Sequence, residues 1–499
     1  MRGGLFFSSL CFPPPPPMSS LPTPASSSTS PPILPSGPVP GASTWRDRWT
    51  QGRWSNGTLV YGSSGLVLLF ALLLLGDFAW SLKERAVTPV AQVLLKQMQA
   101  SDLFIALVVG SVPAGLGLLL GPIVAVRSDR HRGRWGRRIP YLFLPTPFIV
   151  VSLVGMAFTP ELGAALHGVL GGVSPGERVC ALIVFSLMWS LFEVASVTAN
   201  AVFGGLINDV VPPTLVGRFY GLFRATSLLA GMAFTFHLMG RAEQHFAAIF
   251  IGIALIYGLG FALMCWRVRE GEYPPLEDAP AAHDASPAVG GGALGRYLRE
   301  CFTQPYYLWL FLAMTLGLVA GNPVNSFGVF YAKHVGLGLD GYGKYLALTY
   351  AISLALALPV GWLADRWHPL RVGLAAITFY GLAMLAAGTL VREGGQFALA
   401  FVLHGVLSGI YLTGTAALGQ YLFPRTRFAQ FQSAMSLMAA LGYMVVPPLM
   451  GAWLDATGNE YRHTFIASGA LALGAALAFV MVHRHFQRLG GAGGYRAPE

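Results

Sequence analysis

Charge is what this chain lacks. Asp, Glu, Lys and Arg make up only 11% of its 499 residues against 54% apolar ones, too few charges to coat a soluble protein of this length. The composition therefore excludes an ordinary soluble domain and predicts an integral membrane protein. Cysteine is also scarce: Cys11, Cys180, Cys265 and Cys301 show neither paired nor metal-ligand spacing, which argues against a disulfide framework or a zinc site. No acidic residue precedes Asp47, and residues 1–58 are instead rich in Pro, Ser and Gly, with an unbroken proline run from Pro13 to Pro17. Such a segment is predicted to be a disordered tail. Its apolar stretch Leu5 to Phe12 is too short for a signal-peptide core.

What the chain has in abundance is long apolar runs. Windows able to cross about 30 Å of hydrocarbon as helix fall at 59–82, 102–126, 139–159, 179–205, 219–240 and 246–267, and again at 305–331, 341–364, 371–391, 396–422, 428–454 and 463–483. Twelve spans place both termini on one side. The formal charge of +10 comes from short basic clusters between spans, not from one basic stripe, so no nucleic-acid partner is expected. Loops after even-numbered spans carry fifteen cations, six of them between Arg127 and Arg138, whereas the opposite loops carry nine, with Lys83 and Arg85 counted among them. The positive-inside rule then puts both termini and the loop 269–302 in the cytoplasm, with the protein in the cytoplasmic membrane.

The loop 269–302 contains Pro274-Pro275 and Gly290-Gly291-Gly292, the composition of a linker. It divides the chain into a bundle at 59–268 and a second at 303–485, followed by a disordered tail at 486–499. The run Ser128-Asp129-Arg130 ending in Trp135-Gly136-Arg137-Arg138, with a shorter echo at Gly361 to Arg366, occupies corresponding places in the two halves. Repeated halves around a midplane site are a transporter architecture.

The acid followed by Arg, then Gly-Arg-Arg after the second span, resembles the signature loop of the major facilitator superfamily. The longer form is similar to its glycoside–pentoside–hexuronide and sucrose carriers. That resemblance implies an all-α integral membrane fold of twelve transmembrane helices in two pseudo-symmetric six-helix bundles. It also implies a gate built from Asp129, Arg130, Arg137 and Arg138 in the first half and Asp365 and Arg366 in the second, holding the bundle ends together. Gly76-Asp77 resembles the first-span motif in which an acid holds sugar hydroxyls. Glu193, followed by Asp209 sixteen residues on, is similar to the fourth-span acid implicated in proton coupling in sucrose carriers. Gly204 stands where those carriers have Arg, and the second-span acids of a sodium site have no counterpart between Phe104 and Val126.

Carboxylates at membrane depth are costly and usually line a pathway, and one taken out of water favours its neutral form until the site hydrates. Glu193 is accordingly expected to bind the proton and Asp77 the substrate. Sugar recognition also needs hydrogen-bonding groups and aromatic faces. The candidates are Trp80, Trp189, Asn200, Asn322, Asn325, Tyr411 and Gln420, with Pro323 and nearby Gly317 and Gly321 marking a broken helix. His237 and His404 read as interhelical packing.

The expected function is proton-coupled uptake of a sugar or glycoside, with substrate, protons and membrane lipid as partners and no metal or cofactor. An exporter of amphipathic compounds and a nontransporting nutrient sensor are the rivals. An enzyme is not expected: no His-Glu-x-x-His occurs, and Leu74-Leu75-Gly76-Asp77 lacks the first glycine of an intramembrane aspartyl protease motif.

Overall fold

A computed structural model of the protein describes residues 54–272, 291–424 and 427–498. The chain opens there with a hairpin, β1 (Trp54–Asn56) paired antiparallel to β2 (Leu59–Tyr61), with Asn56 opposite Leu59. The Asn56-Gly57 turn needs a left-handed residue, which Gly57 supplies at φ 57°. This corrects the expected end of the disordered tail at residue 58. The rest of that prediction, residues 1–53, lies outside the described residues.

The first six spans are α1 (Ser63–Gln97), α2 (Asp102–Arg130), α3 (Ile139–Ala157) continued by α4 (Thr159–Leu170), α5 (Glu177–Val210), α6 (Val216–His237) and α7 (Ala242–Arg267). A further helix, α8 (Gly291–Phe302), falls inside the segment expected to be linker. The second six are α9 (Pro305–Val319) with α10 (Asn322–His334), α11 (Gly338–Trp367), α12 (Pro369–Leu390), α13 (Gly394–Thr415) with α14 (Leu418–Leu422), α15 (Phe428–Ala456) and α16 (Arg462–Arg488). Among the described residues, 11 spans are long and apolar enough to cross a membrane. The twelfth, α6, occupies the expected place of the fifth span, but Arg218 and Arg224 lower its hydropathy.

Two departures from the expected spans matter. α1 runs 35 residues, about 52 Å at 1.5 Å per residue, and does not stop at Leu82. The apolar pattern resumes at Ala86 and continues to Leu95, so Lys83, Glu84 and Arg85 sit near the middle of the helix instead of in a loop. The C-terminal segment is also ordered. After α16 the short α17 (Gly491–Gly494) turns the chain back so that the Tyr495 hydroxyl donates to the Leu422 carbonyl at 2.8 Å, and the Tyr307 hydroxyl donates to the Pro498 carbonyl at 2.8 Å. The expected disordered tail at 486–499 is therefore corrected: Tyr495 buries its ring against Tyr306 and Phe486, which holds residues 486–498 in place.

Within the first half α1 packs on α6 and α7, and α5 packs on α2, α3 and α4; within the second, α12 packs on α13 and α16, and α9 on α15 and α16. The halves meet along two seams, α2 against α15 and α6 against α11. Each pairs a second span of one half with a fifth span of the other, as a pseudo-twofold requires. Contacts along both seams gather at the end remote from the arginine loop, here the far end. Asp455 of α15 accepts hydrogen bonds from the backbone N–H of Asp102 and Leu103 at 2.9 Å each, capping the start of α2. Ser111 donates to the Met444 carbonyl at 2.7 Å, and Lys333 pairs with Glu243. At the arginine-loop end Gly117, Gly121, Gly217, Gly221 and Gly361 face open space, and Leu358 is 85% exposed. The molecule is clamped at one end and open at the other.

Candidate functional site

The mid-membrane cluster is built on α1. Lys83, fully buried, reaches the Glu84 carboxylate at 2.6 Å and donates a short hydrogen bond to the Ser196 hydroxyl of α5. Its ammonium also lies 5.5 Å from the ring centroids of both Phe192 and Tyr257, so attraction to two aromatic faces adds to the ion pair. A buried lysine survives only with such compensation. Asn200 links the cluster outward: its amide donates to Glu84 at 3.3 Å while its carbonyl oxygen accepts from the Trp80 indole at 2.5 Å. Glu84 is 38% exposed although it sits mid-helix, so it faces the opening between the halves. Trp80, Phe203 and Phe223 form an aromatic wall beside it.

Asp77 lies two turns earlier on α1, fully buried, and accepts one hydrogen bond from Ser81 at 3.2 Å; its second oxygen is without a partner. Glu193, half-buried on α5, is within Coulombic range of Glu84 and Lys83. The two carboxylates singled out in sequence therefore flank a lysine–glutamate pair that was assigned to a loop.

In the second half the span α9–α10 is interrupted at Ala320-Gly321. Pro323 cannot donate a backbone hydrogen bond, and tyrosine hydroxyls reach carbonyls at the break: Tyr443 donates to Leu318 at 3.1 Å and Tyr380 approaches Ala320 at 3.5 Å. Asn325, exposed, contacts His404 Nε2 at 3.1 Å, and His404 Nδ1 meets the Tyr380 hydroxyl at 2.9 Å, so both ring nitrogens are satisfied. Asn322 accepts from Ser326 at 3.0 Å.

The arginine loop forms a separate constellation. Arg137 grips Asp209, at the end of α5, through two hydrogen bonds at 2.6 and 3.0 Å, while Arg138 spans Asp209 at 3.1 Å and Asp129 at 2.5 Å. The Glu270 carboxylate, just beyond α7, accepts from the backbone N–H of Arg137, Arg138 and Ile139 at 2.7 to 2.9 Å and so caps α3. Gly136 is required there, since it takes φ 95° and a Cβ would come within 2.5 Å of that carboxylate. The hairpin closes the arrangement: the Asn56 amide donates to the Asn208, Asp209 and Val211 carbonyls at the end of α5. The partners named here all belong to the first half.

The structure brings Trp80 and Asn200 together, with Asp77 and Glu193 in the same layer. It sets Asn322 and Asn325 at the broken span. Trp189 is fully buried and stacked on Phe185, and the hydroxyl of the buried Tyr411 lies against Gly317. Gln420 sits on α14 near the open end. Arg130 ends α2. Asp365 and Arg366 are exposed, and Arg366 lies 5.5 Å from the Trp362 ring centroid, with no ion pair for either among the described residues. Sequence reading missed Lys83, Glu84, Ser196 and Tyr257. The available signal was the return of apolar residues after Arg85.

The profile of a family described as MFS/sugar transport protein matches residues 73–423. An MFS transporter, asaE, of Aspergillus flavus is 24% identical over 231 residues, which are 46% of this chain and 48% of that protein. Sucrose transport protein SUT4 of Oryza sativa subsp. indica is 25% identical over 234 residues, 43% of this chain and 38% of that protein. The matched stretches thus span half or less of these relatives. Among solved structures, a bacterial homologue of the human lysosomal transporter Spinster, inward-facing and unoccupied, aligns with a TM-score of 0.60 at 16% identity over 85% of this chain and 97% of that one. A D-xylose–proton symporter aligns with a TM-score of 0.61 at 13% identity over 83% and 97%. At these identities the likeness is one of fold.

Proposed function

Because the chain belongs to the MFS/sugar transport protein family, we propose that this transporter takes up a sugar or glycoside by proton symport. The cycle is a rocking of two bundles, 59–268 and 303–485, joined through 269–302, in the cytoplasmic membrane with both termini cytoplasmic. The observation that supports the reading is the mid-membrane layer of Lys83, Glu84 and Glu193 beside Trp80 and Asn200, with Glu84 exposed to the opening and Asp77 buried behind it. Trp80 supplies a ring face for sugar C–H groups, and Asn200 and Glu84 supply polar contacts to hydroxyls.

Glu193 is the proton acceptor in this scheme. It has no hydrogen-bond partner among the described residues, and its charge is opposed by Glu84 and supported by Lys83. A proton on Glu193 relieves the repulsion between the two glutamates, and substrate contacts at Glu84 compete for the same lysine. Asp77 helps set the charge of the layer from beneath. The arginine-loop end is the inward opening, and the far-end clamp excludes the outside.

The test is uptake of labelled mono- and disaccharides into proteoliposomes with and without an imposed pH gradient. At least one sugar should accumulate only with the gradient. Glu193→Gln should abolish that accumulation while preserving exchange, and Asp77→Asn should weaken binding indirectly, by changing the charge behind the layer. Accumulation driven by sodium and indifferent to pH contradicts the proton reading.

A further inference from the structure

Two arginines in the mid-membrane layer stand outside the ion pairs described so far. Arg224, Ser227 and Gly231 share one face of α6 at helical spacing. Arg85 donates to the Ser227 hydroxyl at 3.2 Å, and its guanidinium carbon lies 4.9 Å from the ring centroid of Tyr350, a residue of the second half. Gly231 permits this approach, since a Cβ there would come within 2.5 Å of the Arg85 side chain and 3.1 Å of the Tyr350 ring. Arg224, exposed to the opening, is within Coulombic range of Arg85 and of Tyr350. No hydrogen bond or ion pair joins it to another described residue.

The carboxylates of the layer are turned elsewhere. Glu84 is held by Lys83, Ser196 and Asn200. Asp77 is fully buried with Ser81, and although Arg85 acts on it Coulombically it has no access to the opening. Glu193 lies beside Glu84 and Lys83. One guanidinium lies over the Tyr350 ring and bonds Ser227, and the second stands on the same face of α6 one turn before that serine; two cations so placed repel each other until an anion enters. Arginine forks suit planar or tetrahedral oxyanions, and a phenol adds a further donor.

We propose that Arg85, Arg224 and Tyr350 form a receptor for an anionic substituent of the substrate, a carboxylate or a phosphate monoester. This rests on the sugar-carrier reading for the rest of the ligand and narrows it to acidic sugars. The receptor straddles the α6–α11 seam, so an anion held there ties the two halves at the level of the site.

The experiment measures the melting temperature of the purified full chain in detergent against D-glucose, D-glucuronate, D-glucose 6-phosphate and inorganic phosphate. An acidic sugar should half-saturate at about tenfold lower concentration than glucose, the advantage expected of one charge-assisted contact. Glucuronate acting alone identifies a carboxylate receptor, and the phosphorylated sugar acting alone a phosphate receptor. Arg224→Gln should remove the advantage of the acidic sugars over glucose. Should that variant fail to fold, excess sulfate must erase the same advantage in the wild-type protein. Equal responses to glucose and both acidic sugars, no response to any anion, or an advantage that survives Arg224→Gln or sulfate overturns the proposal, and a response to glucose in those cases leaves the sugar reading standing. A response to inorganic phosphate that Arg224→Gln abolishes, with none to any sugar, upholds the anion receptor and overturns the sugar reading.

Discussion

The two ends of the molecule handle their charges in opposite ways. At the arginine-loop end the ion pairs and cap bonds of Arg137, Arg138, Asp209, Asp129 and Glu270 described above join residues of the first half to one another. At the far end the polar contacts cross between halves: Asp455 caps α2 of the other half, and Lys333 pairs with Glu243. An internally satisfied cluster can separate from its neighbour without leaving a buried charge unpaired. A cross-half cap cannot, because opening it strands a carboxylate and two N–H donors. The difference teaches which end is free to move and which must be disengaged first.

Substitutions at the two ends should therefore fail in different ways. The largest effect is expected for Asp209→Asn. Its carboxylate is 13% exposed and is shared by two arginines that are 21% and 12% exposed, so its loss removes one negative charge from between two partly buried cations. That costs about 3 kcal/mol, read as a lower melting temperature whichever way the protein faces. A melting temperature within a degree or so of wild type would show that the cluster does not hold the first half together.

Asp455→Ala should act on conformation more than on stability. Losing both cap bonds shifts the balance toward far-end opening by about tenfold to a hundredfold. Spin labels at Arg241 and Arg392, on opposite halves of that end, should move apart. An unchanged distance distribution would remove Asp455 from the gate. Asp129→Asn should be milder still, since that side chain is 56% exposed and its pair with Arg138 is one of two. Stability should fall by less than about 1 kcal/mol while turnover declines, and equal losses for Asp129 and Asp209 would erase the contrast drawn from their burial. The smallest effect is expected from removing residues 1–44, which have no apolar periodicity to tie them to the bundle. A large loss of folded protein would make that tail structural.

Much of this was legible in the sequence, for identifiable reasons. Uninterrupted apolar runs fix helices, so twelve spans and the parallel halves could be read directly, as could a break just before Pro323, because proline cannot donate the bond that would continue the ladder. The charged triplet Lys83-Glu84-Arg85 was misplaced because hydropathy treats any charge cluster as a boundary. Its residence mid-helix depends on Ser196, Phe192, Tyr257 and Ser227, which come from helices more than 100 residues away. Arg224 passed unremarked inside an otherwise apolar window. The hairpin left a local signal in Asn56-Gly57 between Trp54 and Tyr61, but its anchoring to the end of α5 is tertiary. Tyr495 gave none, since its partners Tyr306 and Leu422 become neighbours only when the second half closes on itself.

The most direct test of the gating account is to lock the far end. Cysteines replacing Lys333 and Glu243, which are 43% and 38% exposed and pair across the halves, can be joined by a short reducible cross-linker. With Cys11 first changed to serine, the remaining native thiols, Cys180, Cys265 and Cys301, are buried and should not compete. If alternating access at these two ends carries transport, cross-linking should abolish uptake in proteoliposomes and reduction should restore it, while uptake that continues through a locked far end would contradict the account.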